Sequence, residues 1–150
     1  MSKIINTLLF FFLIIGCSYE PILLKKNTDF KFTNITTTGD KNINKILKKK
    51  LKDKNYGDKE YSIYINTKRE KEILSSNTKG DPKIFKLKVY VEFEIEDNGK
   101  DIFNNKVLEE FAYNNMDDKF ELLKLEENII NTIAEKISNE ISISVIYNKK

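Results

Sequence analysis

The strongest pattern in the chain is a strict alternation of apolar and polar residues over positions 85–96. Phenylalanine, leucine, valine and isoleucine occupy the odd positions, while five charged residues and Tyr90 occupy the even ones. Successive side chains of a β-strand point to opposite faces, so the pattern predicts a strand with one apolar and one charged face. We therefore expect a sheet that is covered on one side, with its other side open to water or to a polar partner.

Two segments show the spacing of amphipathic helices. Apolar residues at positions 43, 46, 47 and 51 predict a first helix that is capped by Asp40 and leaves its lysines largely outside. Asp118, with Glu121 three residues later, predicts the start of a long last helix. Its broad apolar stripe over residues 122–141 is typical of a helix that packs on a sheet. The β-branched tail 143–147 leaves the end of this helix open.

Weaker patterns complete the predicted fold. They indicate a first strand over residues 30–35, whose alternation slips near Asn34, a second strand over 61–65, and a strand over 103–113 that follows an Asn98-Gly99 turn. The polar stretch 67–82 is interpreted as a connection, in which Ile73 and Leu74 either prolong a strand or pack locally. The order is β-α-β-β-β-α. It predicts a two-layer α+β sandwich, with a four-stranded sheet and two helices on one face, over residues 29–150.

The first residues have the layout of a secretory signal peptide, and its end resembles a bacterial lipobox, which implies export and acylation. Lys3 precedes an apolar run from Leu8 to Ile15, and Gly16 stands immediately before Cys17, the only cysteine in the chain. We expect residues 1–16 to be a signal peptide, Cys17 to be acylated, and residues 17–28 to be a lipidated tether. An uncleaved membrane anchor and a buried N-terminal helix are the alternatives, although the apolar run is shorter than the about 20 residues that a spanning helix needs.

Composition narrows the function classes. The chain has 26 basic and 23 acidic residues and a formal net charge of +3. Arg69 is its only arginine, which disfavours nucleic-acid recognition, because bidentate contacts to phosphates and guanines use arginine. The chain has no histidine and therefore lacks the usual general base and the commonest zinc ligand. We expect a protein that is not an enzyme and that needs no metal or cofactor.

Three groups of charged residues are candidates for chemistry. Glu92, Glu94 and Glu96 form a row of carboxylates, for which a solvated sheet face is the favoured interpretation over a catalytic pair. The segment 97–101 lacks the spacing of a calcium loop, so a turn is favoured. Basic residues in predicted loops are candidates for contact with an anionic ligand: Lys68, Arg69, Lys71, Lys79, Lys83 and Lys119.

The chain resembles the LptE family, the outer-membrane lipoproteins of lipopolysaccharide assembly. The resemblance is carried by the Gly16-Cys17-Ser18-Tyr19 start, the early strand-helix unit, the loop 75–82 before the long strand, the Asn98-Gly99 turn, the strand end 110–113, and the last helix with Glu126-Glu127 and residues 133–137. The start lacks the Cys-Gly-Phe or Cys-Gly-Trp opening of many members.

The resemblance implies a lipid-anchored domain on the periplasmic side of the outer membrane. It implies that the domain plugs an LptD-type β-barrel translocon, helps that barrel to assemble, and engages lipopolysaccharide. Family positions that bind lipopolysaccharide lie nearest Lys79 and Lys119 in this sequence. The alternative is a lipid-anchored periplasmic protein that binds another anionic or peptidic ligand without a barrel.

Overall fold

The computed structural model describes residues 29–54 and 57–148. The predicted signal peptide (1–16) and the tether (17–28) with Cys17 lie outside the described residues and stay predictions. The elements are β1 (Phe30–Gly39), α1 (Lys41–Lys52), β2 (Lys59–Ser76), β3 (Pro82–Asp97), β4 (Lys100–Asn114) and α2 (Lys119–Tyr147).

The four strands form one mixed sheet in the order β1-β2-β3-β4. β1 and β2 are parallel and are joined by α1, while β2–β3 and β3–β4 are antiparallel hairpins. The slip predicted near Asn34 is a register shift between Phe32 and Asn34. The predicted Asn98-Gly99 turn is confirmed, since both residues have positive φ, 52° and 77°. The predicted α+β class is therefore confirmed.

The two faces of the sheet differ as the alternation in β3 predicts. Its odd positions from Leu87 to Ile95 are at most 3% exposed and form the core with the apolar sides of both helices. Burying each such side chain contributes roughly 1.5–3 kcal/mol relative to leaving it exposed. Side chains at odd positions of β2 and β4, namely Lys71, Glu109 and Tyr113, bond to α2. Both helices thus cover one face of the sheet, and the even positions of β2, β3 and β4 line its open face.

The interpretation of 67–82 as a connecting stretch is wrong for most of its length. β2 continues to Ser76, and only residues 77–81 connect it to β3. Lys68, Arg69 and Lys71 are consequently strand residues and not loop residues. The sequence hid this strand because its side chains pair with charges on β3 and α2, so the ladder forms without an apolar alternation.

Both helices begin where their caps predict. The Oδ1 atom of Asp40 accepts hydrogen bonds from the backbone N–H groups of Asn42 and Ile43, each at 3.0 Å. Asp118 caps α2 in the same way. The β-branched tail of the chain is helical up to Tyr147, because Ile141, Ser142 and Val145 are buried against the rest of the core.

Gly39 allows β1 to turn into α1 directly against β2. Its φ is +92°, and a Cβ atom added there would lie 1.8 Å from the carbonyl oxygen of Thr67. That same oxygen accepts a hydrogen bond from the N–H of Asp40 at 3.1 Å, so it cannot move away without breaking the turn.

We predict that Gly39→Ala lowers the free energy of unfolding by at least about 3 kcal/mol, because strain at positive φ adds to a clash with backbone. Gly80→Ala is the matched control: Gly80 has a φ of +88°, and an added Cβ would meet nothing within 4 Å. We expect that control to lose only about 1 kcal/mol. Equal losses in urea titrations of the two variants would contradict this account of Gly39.

Candidate functional site

The molecule has two distinct ends, set by the length of β2. A strand of 18 residues spans about 55–60 Å. Phe30, the first residue of β1, pairs with Lys59 at the start of β2, and the β3–β4 turn lies at the same end. We call this the proximal end. The distal end contains the β2–β3 turn (residues 77–81) and the link from β4 to α2 (residues 115–118).

The distal turn is held by the side chain of Asn77. Its Oδ1 atom accepts hydrogen bonds from the N–H groups of Lys79 and Asp81, each at 2.9 Å, and its Nδ2 donates to the Asp81 carboxylate at 2.9 Å. Gly80 supplies the positive φ that the turn requires. Lys79 is therefore presented, exposed, on a turn whose backbone is fixed.

Lys119 is brought to the same end of the molecule. Asn115 donates from its backbone N–H to the carbonyl of Lys83 and from Nδ2 to the carbonyl of Pro82, both at 2.8 Å, which joins the link to the start of β3. The Nζ of Lys119 donates to the carbonyl of Met116 at 3.0 Å. It also donates to the Oδ1 of Asn115 at 3.4 Å, and a lysine ammonium has three donors, so one remains for a ligand. These two bonds hold Lys119 in place, and Lys119 therefore differs from Lys79, whose ammonium group has no partner among the described residues.

The other basic candidates divide into bound and unbound groups. Lys68 pairs with Glu70, Arg69 with Asp40, and Lys71 with Glu126, at 2.7, 3.1 and 2.6 Å. In the described part of the chain, the ammonium groups of Lys79 and Lys83 have no hydrogen-bond or ion-pair partner. Lys83 is exposed at the start of β3, so the free positive charge at the distal end comes from Lys79 and Lys83.

The distal end also exposes apolar side chains that were not among the predicted site residues. Phe120 and Leu123, in the first turns of α2, are 68% and 62% exposed. Ile73 and Leu74, near the end of β2, are 58% and 48% exposed. Phe120 falls outside the apolar stripe of α2, which is the one signal in the sequence for its exposure. Leu123 widens that stripe, which predicts that it packs, so only the structure reveals that it is exposed. The distal end therefore combines free ammonium groups with apolar surface.

A charged cluster under α2 fixes the position of this helix on the sheet. The Glu126 carboxylate accepts from Lys71 at 2.6 Å and from the Tyr113 hydroxyl at 2.7 Å. The Nζ of Lys71 also lies 4.0 Å from the centre of the Phe85 ring. Burial alone would raise the pKa of Glu126, but the hydrogen bonds from Lys71 and Tyr113 outweigh it and hold that pKa below its usual value. Burial, together with Glu126, raises the pKa of Tyr113.

The open face of the sheet is a network of cross-strand pairs. Lys88 contacts Glu72 and Lys106 contacts Glu92, each at 2.6 Å. The bond from Lys106 lowers the pKa of Glu92, whereas the neighbouring Asp101 raises the pKa of Glu94. A shallow groove of about 380 Å³ crosses the four strands at Glu92, Glu94 and Lys106.

The described residues include no cluster of three or more His, Cys, Asp or Glu that could hold a metal ion. Neither α1 nor α2 is long and apolar enough to cross a membrane.

Solved structures of bacterial lipoproteins share this architecture. Rare lipoprotein B from Shewanella oneidensis is 14% identical, with a TM-score of 0.57 over 78% of this chain and 99% of that chain. A minor lipoprotein from Acinetobacter baumannii is 16% identical, with a TM-score of 0.56 over 78% and 92%. An uncharacterized lipoprotein B from Nitrosomonas europaea is 17% identical, with a TM-score of 0.56 over 79% and 86%. The chain has the LptE-like fold. No family model and no curated protein matches the sequence.

We predict that Glu126→Gln lowers the free energy of unfolding by about 1 kcal/mol at neutral pH, because it weakens charge-assisted hydrogen bonds in a partly screened cluster. Ionised Glu126 has a lowered pKa, so its stabilisation is complete above about pH 4.5, the ordinary value, and is lost as the pH falls through the lowered one. The difference between wild type and variant should therefore shrink in acid.

The matched control is Glu72→Gln. Glu72 also binds a lysine at 2.6 Å, but on the open face, where a surface ion pair contributes little. Denaturant titrations at several pH values measure both variants. If Glu72→Gln lowers the free energy of unfolding as much as Glu126→Gln does, the cluster under α2 stabilises the fold no more than a surface ion pair.

Proposed function

We propose that this chain is an outer-membrane lipoprotein that plugs an LptD-type β-barrel translocon, helps that barrel to assemble, and assists the delivery of lipopolysaccharide to the outer leaflet. The observation that carries the proposal is the fold shared with rare lipoprotein B and the minor lipoprotein. The Gly16-Cys17 pair after an apolar run supports a lipid anchor on the same chain. The proposed role is binding and structural, and it requires no catalytic residue or cofactor.

The dimensions of the sheet support a plug. The β2–β3 hairpin extends about 55 Å from the proximal end, where the chain leaves the predicted tether, to the distal turn. The apolar band of an outer-membrane barrel is only about 25 Å tall, and barrel lumens are polar. A domain anchored at its proximal end is therefore long enough to pass through such a lumen. Its paired charges on the open face suit a polar wall.

The distal end supports contact with lipopolysaccharide. That ligand carries phosphates and acyl chains, and the distal end offers both the free ammonium groups of Lys79 and Lys83 and the exposed side chains of Phe120 and Leu123. A lysine presents a point charge to a phosphate without demanding a fixed geometry. Lys119 would join this set with the donor that its bonds to Met116 and Asn115 leave open.

The plug role predicts co-purification. The full-length protein, captured from its native outer membrane in mild detergent, should bring down one large β-barrel at a near-equal molar amount, measured by quantitative mass spectrometry. Recovery of the lipoprotein alone would contradict the plug role and would favour the periplasmic binding protein that acts without a barrel.

The ligand contact predicts a charge effect at the distal end. Lys79→Glu combined with Lys119→Glu should weaken lipopolysaccharide binding by roughly tenfold or more, as expected for reversing charges that contact phosphates. Surface plasmon resonance on lipopolysaccharide measures the binding, and circular dichroism checks the fold.

The matched control changes the net charge equally in the first half of β4, away from the distal end. Lys100→Glu with Lys106→Glu replaces two exposed lysines. At position 106 a surface pair with Glu92 becomes a like-charge contact on the open face, and circular dichroism checks that the fold is retained. Binding should stay at the wild-type level in this control. If both double variants lose affinity equally, the effect is general electrostatics and the distal contact is disproved.

A further inference from the structure

α1 carries a continuous row of lysines on its solvent side. At about 100° per residue, five of its lysines fall within roughly 100° of arc on the side away from the core residues Ile43, Leu47 and Leu51. We call this row the lysine stripe; it consists of Lys41, Lys45, Lys48, Lys49 and Lys52. The helix contains no aspartate or glutamate.

The stripe is distinct from the lysines that hold the two helices together. Lys50 binds Glu135 of α2 at 2.6 Å, and Lys54 binds Glu135 at 3.2 Å and Ser138 at 2.9 Å. In contrast, no side chain of the stripe has a hydrogen-bond or ion-pair partner within residues 29–54 and 57–148. Of the flanking carboxylates, Asp40 caps α1 and binds Arg69, while Asp53 is the C-cap. The stripe is therefore an uncompensated positive surface.

The lysine stripe runs along α1 toward the proximal end. α1 runs back from the end of β1, and just after it the N–H of Gly57 donates to the carbonyl of Phe30 at 3.3 Å. The last stripe residues, Lys48 to Lys52, thus lie near the point where the chain enters from Cys17. The 13 residues from Cys17 to Asp29 span at most about 45 Å even when fully extended. On the proposed function, the proximal end therefore stays within about 45 Å of the membrane that holds the acylated cysteine, so the stripe can reach that membrane.

We propose that the lysine stripe of α1 binds anionic phospholipid headgroups and orients the anchored domain on the membrane surface. Clusters of four to eight lysines or arginines on a helix near a membrane are typical of binding to acidic lipids, and each lysine adds attraction at such a surface. Protein interfaces, in contrast, are depleted in lysine and depend on aromatic and arginine residues. The stripe contains neither, so a lipid surface fits it better than a protein partner.

Lysine labelling on vesicles tests the proposal with the complete acylated protein. The protein is inserted in vesicles of phosphatidylcholine alone or with added phosphatidylglycerol, and the acetylation rate of each lysine is measured by mass spectrometry. All five lysines of the stripe should react roughly fivefold more slowly on the anionic vesicles. Lys79 and Lys83, at the distal end, should react equally on both. About 0.5 M salt should remove the protection.

A variant in which three lysines of the stripe are replaced by uncharged residues locates the contact. In Lys48→Gln, Lys49→Gln, Lys52→Gln, which keeps good helix formers, the remaining stripe residues Lys41 and Lys45 should lose their protection on anionic vesicles. Circular dichroism verifies that α1 is retained.

The matched control is Lys79→Gln, Lys83→Gln, Lys119→Gln, with the same charge change at the distal end. Protection of the stripe should persist in this control.

Three outcomes would overturn the inference. The first is equal labelling of the stripe on neutral and anionic vesicles, and the second is loss of protection in the distal control. The third is protection that is absent from these vesicles and appears only in vesicles that also contain the co-purified barrel. The last result would make the stripe a protein contact. Failure of the anchor is recognised separately, because an unacylated protein would not float with neutral vesicles. Failure of the plug role is recognised by the absence of a co-purified barrel.

Discussion

The antiparallel ladder between β2 and β3 is the constraint on which the rest of the structure depends. It runs from Ser62–Glu96 to Ser76–Pro82 and sets a length of about 50 Å between the proximal and distal ends. Only one side of this ladder is apolar, so both helices must pack on that side. The other side is then free to carry charges, which pair with each other across the strands.

Polar contacts at two points fix the helices to the β2–β3 ladder. At the start of α1, the buried Thr67 and Asn44 side chains bond to each other at 2.9 Å, and Thr67 accepts from the N–H of Asp40. Because an unpaired buried polar group is costly, this set specifies one arrangement of the crossover. Near the start of α2, the bond between Lys71 and Glu126 fixes this helix on the sheet. The contacts of Asn115 fix the link from β4 to α2 at the start of β3.

The two ends offer different surfaces, and this difference suits an anchored molecule that acts at a distance from its anchor. The distal end has free lysines beside exposed aromatic and aliphatic side chains, which fits an anionic amphiphile. The stripe on α1 has lysines alone and lies toward the tether, which fits a charged surface of headgroups. The β2–β3 ladder keeps the two surfaces apart, so one domain can contact the membrane and the ligand at the same time.

The sequence by itself determined the elements whose cause is local. The alternation of β3, the caps at Asp40 and Asp118, and the turn at Asn98-Gly99 all follow from neighbouring residues, and with them the α+β class. Lys79 and Lys119 came from the resemblance to the LptE family, and their role stays a prediction. Only the tertiary structure decided the rest. It extended β2 through Lys68–Ser76, bound Lys71 to Glu126, and left Lys83 free, because these outcomes depend on partners that lie far away along the chain. No local pattern encodes which charge will meet which.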